Sequence, residues 1–304
     1  MHTTPSSALV LGGGGSTGNA WLIGVVAGLY DGGLDVTAPD LTVGTSAGAT
    51  AAAQLGGAAP ADLYAATLTP PPSAPPHPAG PAWAGPQPAA GRHGTRPVTD
   101  HMERTRRIIE AAEDPADLRR RLCAMTLALP GSSDDAVQDR WRATVAARLP
   151  DQAWPERAVL LTAVDAETGE PVVLGRDSGV GLADAVAASC SSGFAYRVGE
   201  RRYIDGGYRA GAENADLAAG YDRVLVLSPF GGASRTPTGW GMDLASQVEA
   251  LRAGGSRVET VFPEPGAEHL FGVNAMDVSQ RPAAARAGHD QGLALAERLG
   301  TFWR

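Results

Sequence analysis

The pentapeptide Gly44-Thr45-Ser46-Ala47-Gly48 places a serine between two glycines. This G-x-S-x-G pattern is typical of a sharp strand-to-helix turn that projects a serine hydroxyl above a sheet, where flanking glycines remove steric clashes. Residues 41–43 before it, Leu-Thr-Val, are each apolar or β-branched, as in a strand, and the alanine-rich stretch through Leu55 indicates a helix. Ser46 is therefore a candidate nucleophile, and a helix-capping serine in a tight turn is the simpler alternative.

A glycine-rich run, Gly13-Gly14-Gly15-Ser16-Thr17-Gly18, fits G-x-G-x-x-G between the strand pattern of Ala8–Leu11 and a helical pattern over 19–30. One interpretation is a dinucleotide site, in which Asp31 or Asp35 would hold the ribose. The other is an oxyanion hole, in which adjacent glycine N–H groups stabilise an oxygen that becomes negative during acyl transfer. The serine turn one strand–helix unit later favours the second interpretation, because a nucleotide site has no use for it.

Asp205-Gly206-Gly207 follows the short strand pattern of residues 202–204. Asp and Gly are leading turn residues, so a plain turn explains this segment by itself. The functional interpretation is that the glycines let the carboxylate lie against another backbone, within reach of Ser46. Partial burial would then raise the pKa of Asp205, which could take the serine proton directly.

Histidine offers an alternative base. His269 and His289 are near the C-terminus, where the histidine of a Ser-His-Asp esterase is expected. Ser46, however, follows only one strand and one helix, which fits the α/β-hydrolase order badly. Neither the six histidines nor the two cysteines show metal-ligand spacing, and we expect no metal and no cofactor.

In this order, the glycine run, G-T-S-A-G and D-G-G resemble the patatin-like phospholipase family over roughly Ala8 to Ala218. The resemblance implies an α/β fold of three layers, α/β/α, with a mostly parallel central sheet. It also implies a Ser–Asp dyad in place of a triad, with Ser46 as nucleophile and Asp205 as general base. The roles it assigns further are oxyanion N–H donors at Gly14 and Gly15, motif glycines at Gly13, Gly18, Gly44, Gly48, Gly206 and Gly207, and a supporting Asn214.

Three positions depart from the pattern of that family. Thr17 stands where the family usually has Arg or Lys, and the segment Ala188–Gly193 lacks the proline that commonly follows Ala-Ser. Asn214 is further from Asp205 than usual and is not followed by Pro. The missing cation removes a partner for an anionic headgroup, so we expect a lipid or other ester as substrate without specifying a phospholipid.

Composition excludes several classes of function. The chain has 25 basic residues, all of them Arg, and 33 acidic residues, which gives a net charge of −8. A chain without Lys forms no Lys Schiff base and completes no Walker-type phosphate loop. The acidic balance argues against nucleic acid and allows at most transient contact with a membrane surface. No apolar run approaches the length of a bilayer span, and the expected location is cytoplasmic; the oligomeric state is not indicated.

The chain divides into a catalytic region over 8–218 and a part over 219–304 that we expect to complete the same sheet and its helices. Residues 70–97 contain ten of the 23 prolines and predict a surface loop, or a lid in which Trp83 touches lipid. Residues 100–149 predict a charged helical insertion. The remaining predicted elements are a hairpin of 158–164 with 171–174, helices at 182–189 and 282–299, and a buried strand at 223–227.

Overall fold

The computed structural model describes residues 6–69 and 95–304, and side chains for all of these but 95–101. Within that part, eight strands form one sheet. They are β1 (Ser7–Leu11), β2 (Leu41–Gly44), β3 (Ala158–Asp165), β4 (Pro171–Leu174), β5 (Tyr196–Val198), β6 (Arg201–Asp205), β7 (Arg223–Leu227) and β8 (Arg257–Val261).

The central sheet is mostly parallel, as predicted. Hydrogen-bonded neighbours run β5-β6-β3-β2-β1-β7-β8, and β4 pairs with β3. β1, β2, β3, β7 and β8 pair in parallel, whereas β4 and β6 run antiparallel to β3, and β5 to β6. The carboxyl ends of the five parallel strands therefore meet at one edge, where α/β proteins bind their ligands.

The ends of β2 and β6 meet because both strands lie on the same side of β3. Leu161 pairs with both Gly44 of β2 and Leu174 of β4. Ala163 likewise pairs with Asp205 of β6 as well as with β4. A strand residue has two hydrogen-bonding sides, and β4 occupies one of them, so β2 and β6 share the other. The two strands run in opposite directions, and their last residues approach each other end to end.

Helices cover both faces of the sheet. They are α1 (Gly15–Asp31), α2 (Ala47–Gly57), α3 (Pro60–Leu68), α4 (Thr95–Ala111), α5 (Pro115–Leu127), α6 (Asp135–Ala146), α7 (Leu182–Ser189), α8 (Gly207–Ala210), α9 (Leu244–Ala253) and α10 (Arg281–Trp303). Side chains alternate across β1: Leu9 and Leu11 join the core beneath α1 and α10, while Ala8 and Val10 join the core beneath α9. This alternation gives the predicted three layers.

Helices α1 and α10 approach closely enough for their backbones to touch. A Cβ added at Gly24 or Gly28 would overlap carbonyl oxygens of α10, and one at Gly288 or Gly292 would overlap those of α1. Each helix thus presents two glycines, four residues apart, to its neighbour. The close packing holds α1 against α10, and the first turn of α1 contains the last four residues of the glycine-rich run.

Several predicted boundaries were wrong. The turn expected to reach Gly18 is shorter, because α1 begins at Gly15 and includes Gly18 in its first turn. The expected helix 282–299 extends over α10, and the insertion contains three helices, α4 to α6, the first beginning at Thr95. Trp83 and the rest of residues 70–94 lie outside the described residues. The sequence patterns also missed α3, α9, β5 and β8.

Candidate active site

Ser46 occupies the turn between β2 and α2 in a backbone conformation that non-glycine residues rarely adopt. Its φ is 52° and its ψ is −111°, so the surrounding structure must hold it in place. The backbone N–H of Ser46 donates to Ser189 Oγ at 2.9 Å, and its carbonyl accepts from Cys190 Sγ at 3.1 Å. The end of α7 therefore stabilises the strained turn.

The two glycines of G-T-S-A-G are required by close backbone approaches. A Cβ at Gly48 would overlap the carbonyl of Leu11 at the end of β1, and one at Gly44 would lie 2.8 Å from the Cα of Ala49. Such distances are too short for any side chain. The turn can therefore project Ser46 at the carboxyl edge of the sheet only if both positions are glycine.

Asp205, the last residue of β6, lies beside Ser46. Ser46 Oγ donates a hydrogen bond to Asp205 Oδ2 at 3.0 Å, and the backbone N–H of Gly207 donates to Oδ1 at 2.8 Å. Asp205 is 8% exposed. Burial raises the pKa of Asp205 to about 6, and the hydrogen bonds from Gly207 and Ser46 oppose that rise.

Asn214 lies beneath the two side chains and links the backbones that carry them. Its Nδ2 donates to the carbonyl of Gly206 and to Thr45 Oγ1, both at 2.9 Å. Thr45 Oγ1 in turn lies 3.0 Å from Thr162 Oγ1, in the gap between the ends of β2 and β6. Asn214 is fully buried with φ 52°, a left-handed conformation that Asn tolerates better than most residues. Asn214 thus connects the aspartate turn to the serine turn.

Gly206 is required by the same junction. A Cβ at Gly206 would overlap both the carbonyl and the hydroxyl oxygen of Thr162. Asp205 N–H donates to Ser191 O and Gly206 N–H to Ser189 O, at 3.0 and 3.2 Å. The segment Ser189–Ser191 thus contacts both the serine turn and the aspartate turn. Sequence reasoning noted this segment and assigned it no role; its signal was the small polar residues at the end of a predicted helix.

The glycine-rich run lies against the serine turn. An added Cβ at Gly13 would be 3.7 Å from Ser46 Cβ. The N–H of Gly13 donates to the carbonyl of Ala212 at 2.8 Å. Among the hydrogen bonds of the described residues, none uses the N–H of Gly14 or Gly15. These two N–H groups, at the N-terminus of α1, remain free to bind an anion.

Arg281, the first residue of α10, is a neighbour of this run that sequence reasoning missed. Its Nη1 donates to the carbonyl of Ser16 at 2.7 Å and its Nη2 to Asn19 Oδ1 at 3.1 Å. Asn19 Nδ2 reaches the carbonyl of Ala47, the residue after Ser46, at 3.4 Å. The glycine-rich run therefore does have a cation beside it, although Thr17 itself is uncharged. This cation, Arg281, comes from the C-terminal part of the chain.

The alternative sites lack the required geometry. His289 Nε2 lies 2.9 Å from Asp31 Oδ2, and the exposed His269 contacts the carbonyl of Gly266 at 3.1 Å. Neither ring is hydrogen-bonded to Ser46 or Asp205 within the described structure. Asp31 ends α1, about 24 Å by helical rise from Gly15 in the glycine-rich run. It is therefore too distant to hold the ribose of a dinucleotide bound at that run.

Residues 6–69 and 95–304 contain neither a metal-binding cluster nor a membrane-spanning helix. In that part of the chain, no three His, Cys, Asp or Glu side chains are grouped so that they could hold a metal ion. No helix there combines the length and the apolar character that crossing a bilayer requires.

Comparison with known proteins assigns the family. Curated proteins give no match to the chain. Among solved structures, it is similar to VipD from Legionella pneumophila, with 15% identity and a TM-score of 0.41, over 97% of this chain and 67% of that one. It is also similar to the type III effector protein ExoU, with 14% identity and a TM-score of 0.32, over 95% of this chain and 54% of that one. A family model described as patatin-like phospholipase matches residues 9–216, well over half of the sequence, and the chain therefore belongs to that family.

Proposed function

We propose that this protein is a serine acyl hydrolase that uses Ser46 as nucleophile and Asp205 as general base. Membership of the patatin-like phospholipase family implies a lipid acyl hydrolase. The observation that carries the finer assignment is the hydrogen bond of 3.0 Å from Ser46 Oγ to Asp205 Oδ2. A serine hydroxyl needs an adjacent base to become nucleophilic, and Asp205 is the carboxylate that accepts its hydrogen bond in the described structure.

Acylation begins when Asp205 takes the hydroxyl proton of Ser46. The serine oxygen forms a bond to the ester carbonyl carbon, and the carbonyl oxygen becomes an oxyanion. The N–H groups of Gly14 and Gly15 stabilise that charge together with the N-terminus of α1. The tetrahedral intermediate then breaks its bond to the alkoxy group, which leaves as an alcohol with the proton from Asp205.

Deacylation repeats these roles with water. Asp205 removes a proton from a water molecule, whose oxygen attacks the acyl carbon, and the same N–H groups stabilise the second oxyanion. Collapse of the intermediate breaks the bond to Ser46 and releases a carboxylic acid, and the proton on Asp205 returns to the serine oxygen. One carboxylate therefore serves both half-reactions.

The environment of Asp205 suits a general base near neutral pH. A pKa of about 6 leaves the carboxylate mostly ionised at pH 7, yet makes it a stronger base than an exposed aspartate. The hydrogen bond from Gly207 holds Oδ1, so that Oδ2 faces the serine. A histidine is not needed to accept the proton.

The test is a chain-length series of p-nitrophenyl esters assayed beside a panel of phospholipids. Ser46→Ala and Asp205→Asn are each expected to lower kcat by at least about 10³-fold, because each removes one partner of the nucleophile–base pair. His269→Ala and His289→Ala are the matched controls and should keep nearly full activity. Retention of activity by Asp205→Asn, with loss in either histidine variant, would refute the dyad.

A further inference from the structure

Two loops flank the glycine-rich run at the carboxyl edge of the sheet. Residues 228–236 follow β7, and residues 271–280 lie between β8 and α10. The first loop packs on the run through Pro229, whose Cβ would lie 2.5 Å from a Cβ at Gly14. The second packs on it through Ala275, whose carbonyl accepts the N–H of Thr17 at 3.0 Å. Both loops therefore contact the run that lies against the turn of Ser46.

These loops expose large apolar side chains directly beside their anchoring residues. Phe230, Val273, Met276 and Val278, which we call the apolar rim, are between 37% and 60% exposed. Phe230 follows Pro229, while Val273, Met276 and Val278 lie within three positions of Ala275. In the described part of the chain the exposed large apolar residues outside the rim are Tyr30, Phe262 and Leu293. Four of the seven exposed large apolar residues of the described chain thus lie on the two loops that contact the glycine-rich run, and such a grouping marks an interaction surface.

Charge selects the kind of surface that the rim can meet. Residues 228–236 contain one charged side chain, Arg235, and residues 271–280 contain one, Asp277. The chain as a whole has a net charge of −8. An anionic bilayer would repel such a protein, and the loops hold no basic cluster to overcome the repulsion. Apolar side chains that protrude from nearly uncharged turns suit shallow insertion into a neutral, zwitterionic lipid surface.

We propose that the apolar rim inserts into zwitterionic lipid surfaces and so brings the glycine-rich run and the adjacent Ser46 against lipid esters. This inference rests on the proposed function for its purpose, because a lipid hydrolase must meet its substrate at such a surface. The binding step itself is independent of turnover. It uses four side chains on two loops and requires no charge on either partner.

Vesicle flotation of the Ser46→Ala protein tests the rim without hydrolysis. Phosphatidylcholine vesicles should carry the protein at low and at high salt alike. Met276→Asp and Phe230→Asp, one on each loop, should each lower partitioning at least about tenfold, since each places a charge where an apolar side chain enters lipid. Leu293→Asp is the matched control, because Leu293 is 49% exposed on α10 beside Gly28, far along α1 from the glycine-rich run. Thermal unfolding confirms that all three variants fold.

Four outcomes would overturn the proposal: unchanged partitioning of either rim variant, an equal loss in Leu293→Asp, binding only to anionic vesicles with loss in salt, or a change in oligomeric state in place of lipid binding. Failure of the proposed function is distinguishable. A wild-type protein that floats with vesicles but hydrolyses no ester retains the rim and refutes the hydrolase. A protein that hydrolyses soluble esters through Ser46 but never binds vesicles retains the hydrolase and refutes the insertion of the apolar rim.

Discussion

The candidate site has a buried polar floor, formed by Thr45, Thr162 and Asn214, and an exposed apolar rim, and the two differ in how they are held. On the floor, Thr45, Thr162 and Asn214 are buried, and their side chains are hydrogen-bonded to one another. On the rim, Phe230 and Met276 are exposed on irregular turns. The floor must hold Ser46 and Asp205 to within a fraction of an ångström, whereas the rim needs only to present apolar surface.

This contrast predicts where substitutions should lower stability or activity most. Displacing one partner of a buried polar network lowers the free energy of unfolding, because the remaining donors and acceptors then have neither a protein partner nor water. Exposed apolar residues contribute little to folding and are tolerant of change. Substitutions on the floor should therefore lower both stability and turnover. Substitutions at the edge of the site should change one of these two properties without the other.

The largest effect is expected for Gly206→Ala. The new Cβ would overlap the carbonyl of Thr162, so β3 or β6 must move, and the free energy of unfolding should fall by at least about 3 kcal/mol. Gly193→Ala is the control, because a Cβ there meets no atom within 4 Å; it should change stability by no more than about 0.5 kcal/mol. Denaturant unfolding measures both. Equal stability of the two variants would contradict the account of the junction.

Asp205→Asn should stabilise the protein while it removes activity. The pKa of Asp205 is raised from 3.8 to about 6 by burial, so the folded state holds a proton that the unfolded state has lost. The unfolding free energy of the wild type therefore falls by about 2–3 kcal/mol as pH rises from 3.8 to about 6. The Asp205→Asn variant has no carboxylate at this position to ionise, so its unfolding free energy does not fall for this reason.

The measurement is the unfolding free energy of both proteins between pH 4 and pH 8. The advantage of Asp205→Asn should grow up to about pH 6, the raised pKa of the aspartate, and then stay constant. An advantage that is independent of pH would show that the buried carboxylate is not what destabilises the wild type.

A smaller effect is expected for Arg281→Met at the border between floor and rim. Loss of its bonds to Ser16 and Asn19 should loosen the first turn of α1 and lower kcat about three- to tenfold, or about 1 kcal/mol, with little change in KM. Arg298→Met on the same helix is the control, because Arg298 is paired with Glu259 at the surface. Esterase kinetics compare them. Equal kcat values for the two variants would exclude a positioning role for Arg281.

The sequence predicts the floor well because backbone geometry there demands particular residues. Glycines at 44, 48 and 206 are required by contacts with a neighbouring backbone, so G-x-S-x-G and D-G-G persist as readable patterns. The three-layer fold follows from the strand–turn–helix order with apolar strands, and the parallel sheet and the hairpin of β3 with β4 were confirmed. The roles of Ser46, Asp205, Gly14, Gly15 and Asn214 stay predictions.

The remainder could not be predicted because it depends on contacts between distant segments. Arg281 reaches Ser16 across most of the chain, and no local pattern announces that contact. The start of α1 was misplaced because Gly15 and Gly18 suggest a turn, whereas they are glycine to make room for Ala275 and Pro229. β8 was missed because its five residues, Arg-Val-Glu-Thr-Val, are too short and too polar to indicate a buried strand.

The most direct check that Asp205 activates Ser46 is the pH dependence of the phosphonylation of Ser46, measured by single-turnover labelling with a fluorophosphonate. The wild-type rate should rise with pH and level off above about 6, the pKa of Asp205. Asp205→Asn should label at least about 10³-fold more slowly at every pH. The same midpoint and rate in Asp205→Asn would contradict the claim that this carboxylate activates the serine.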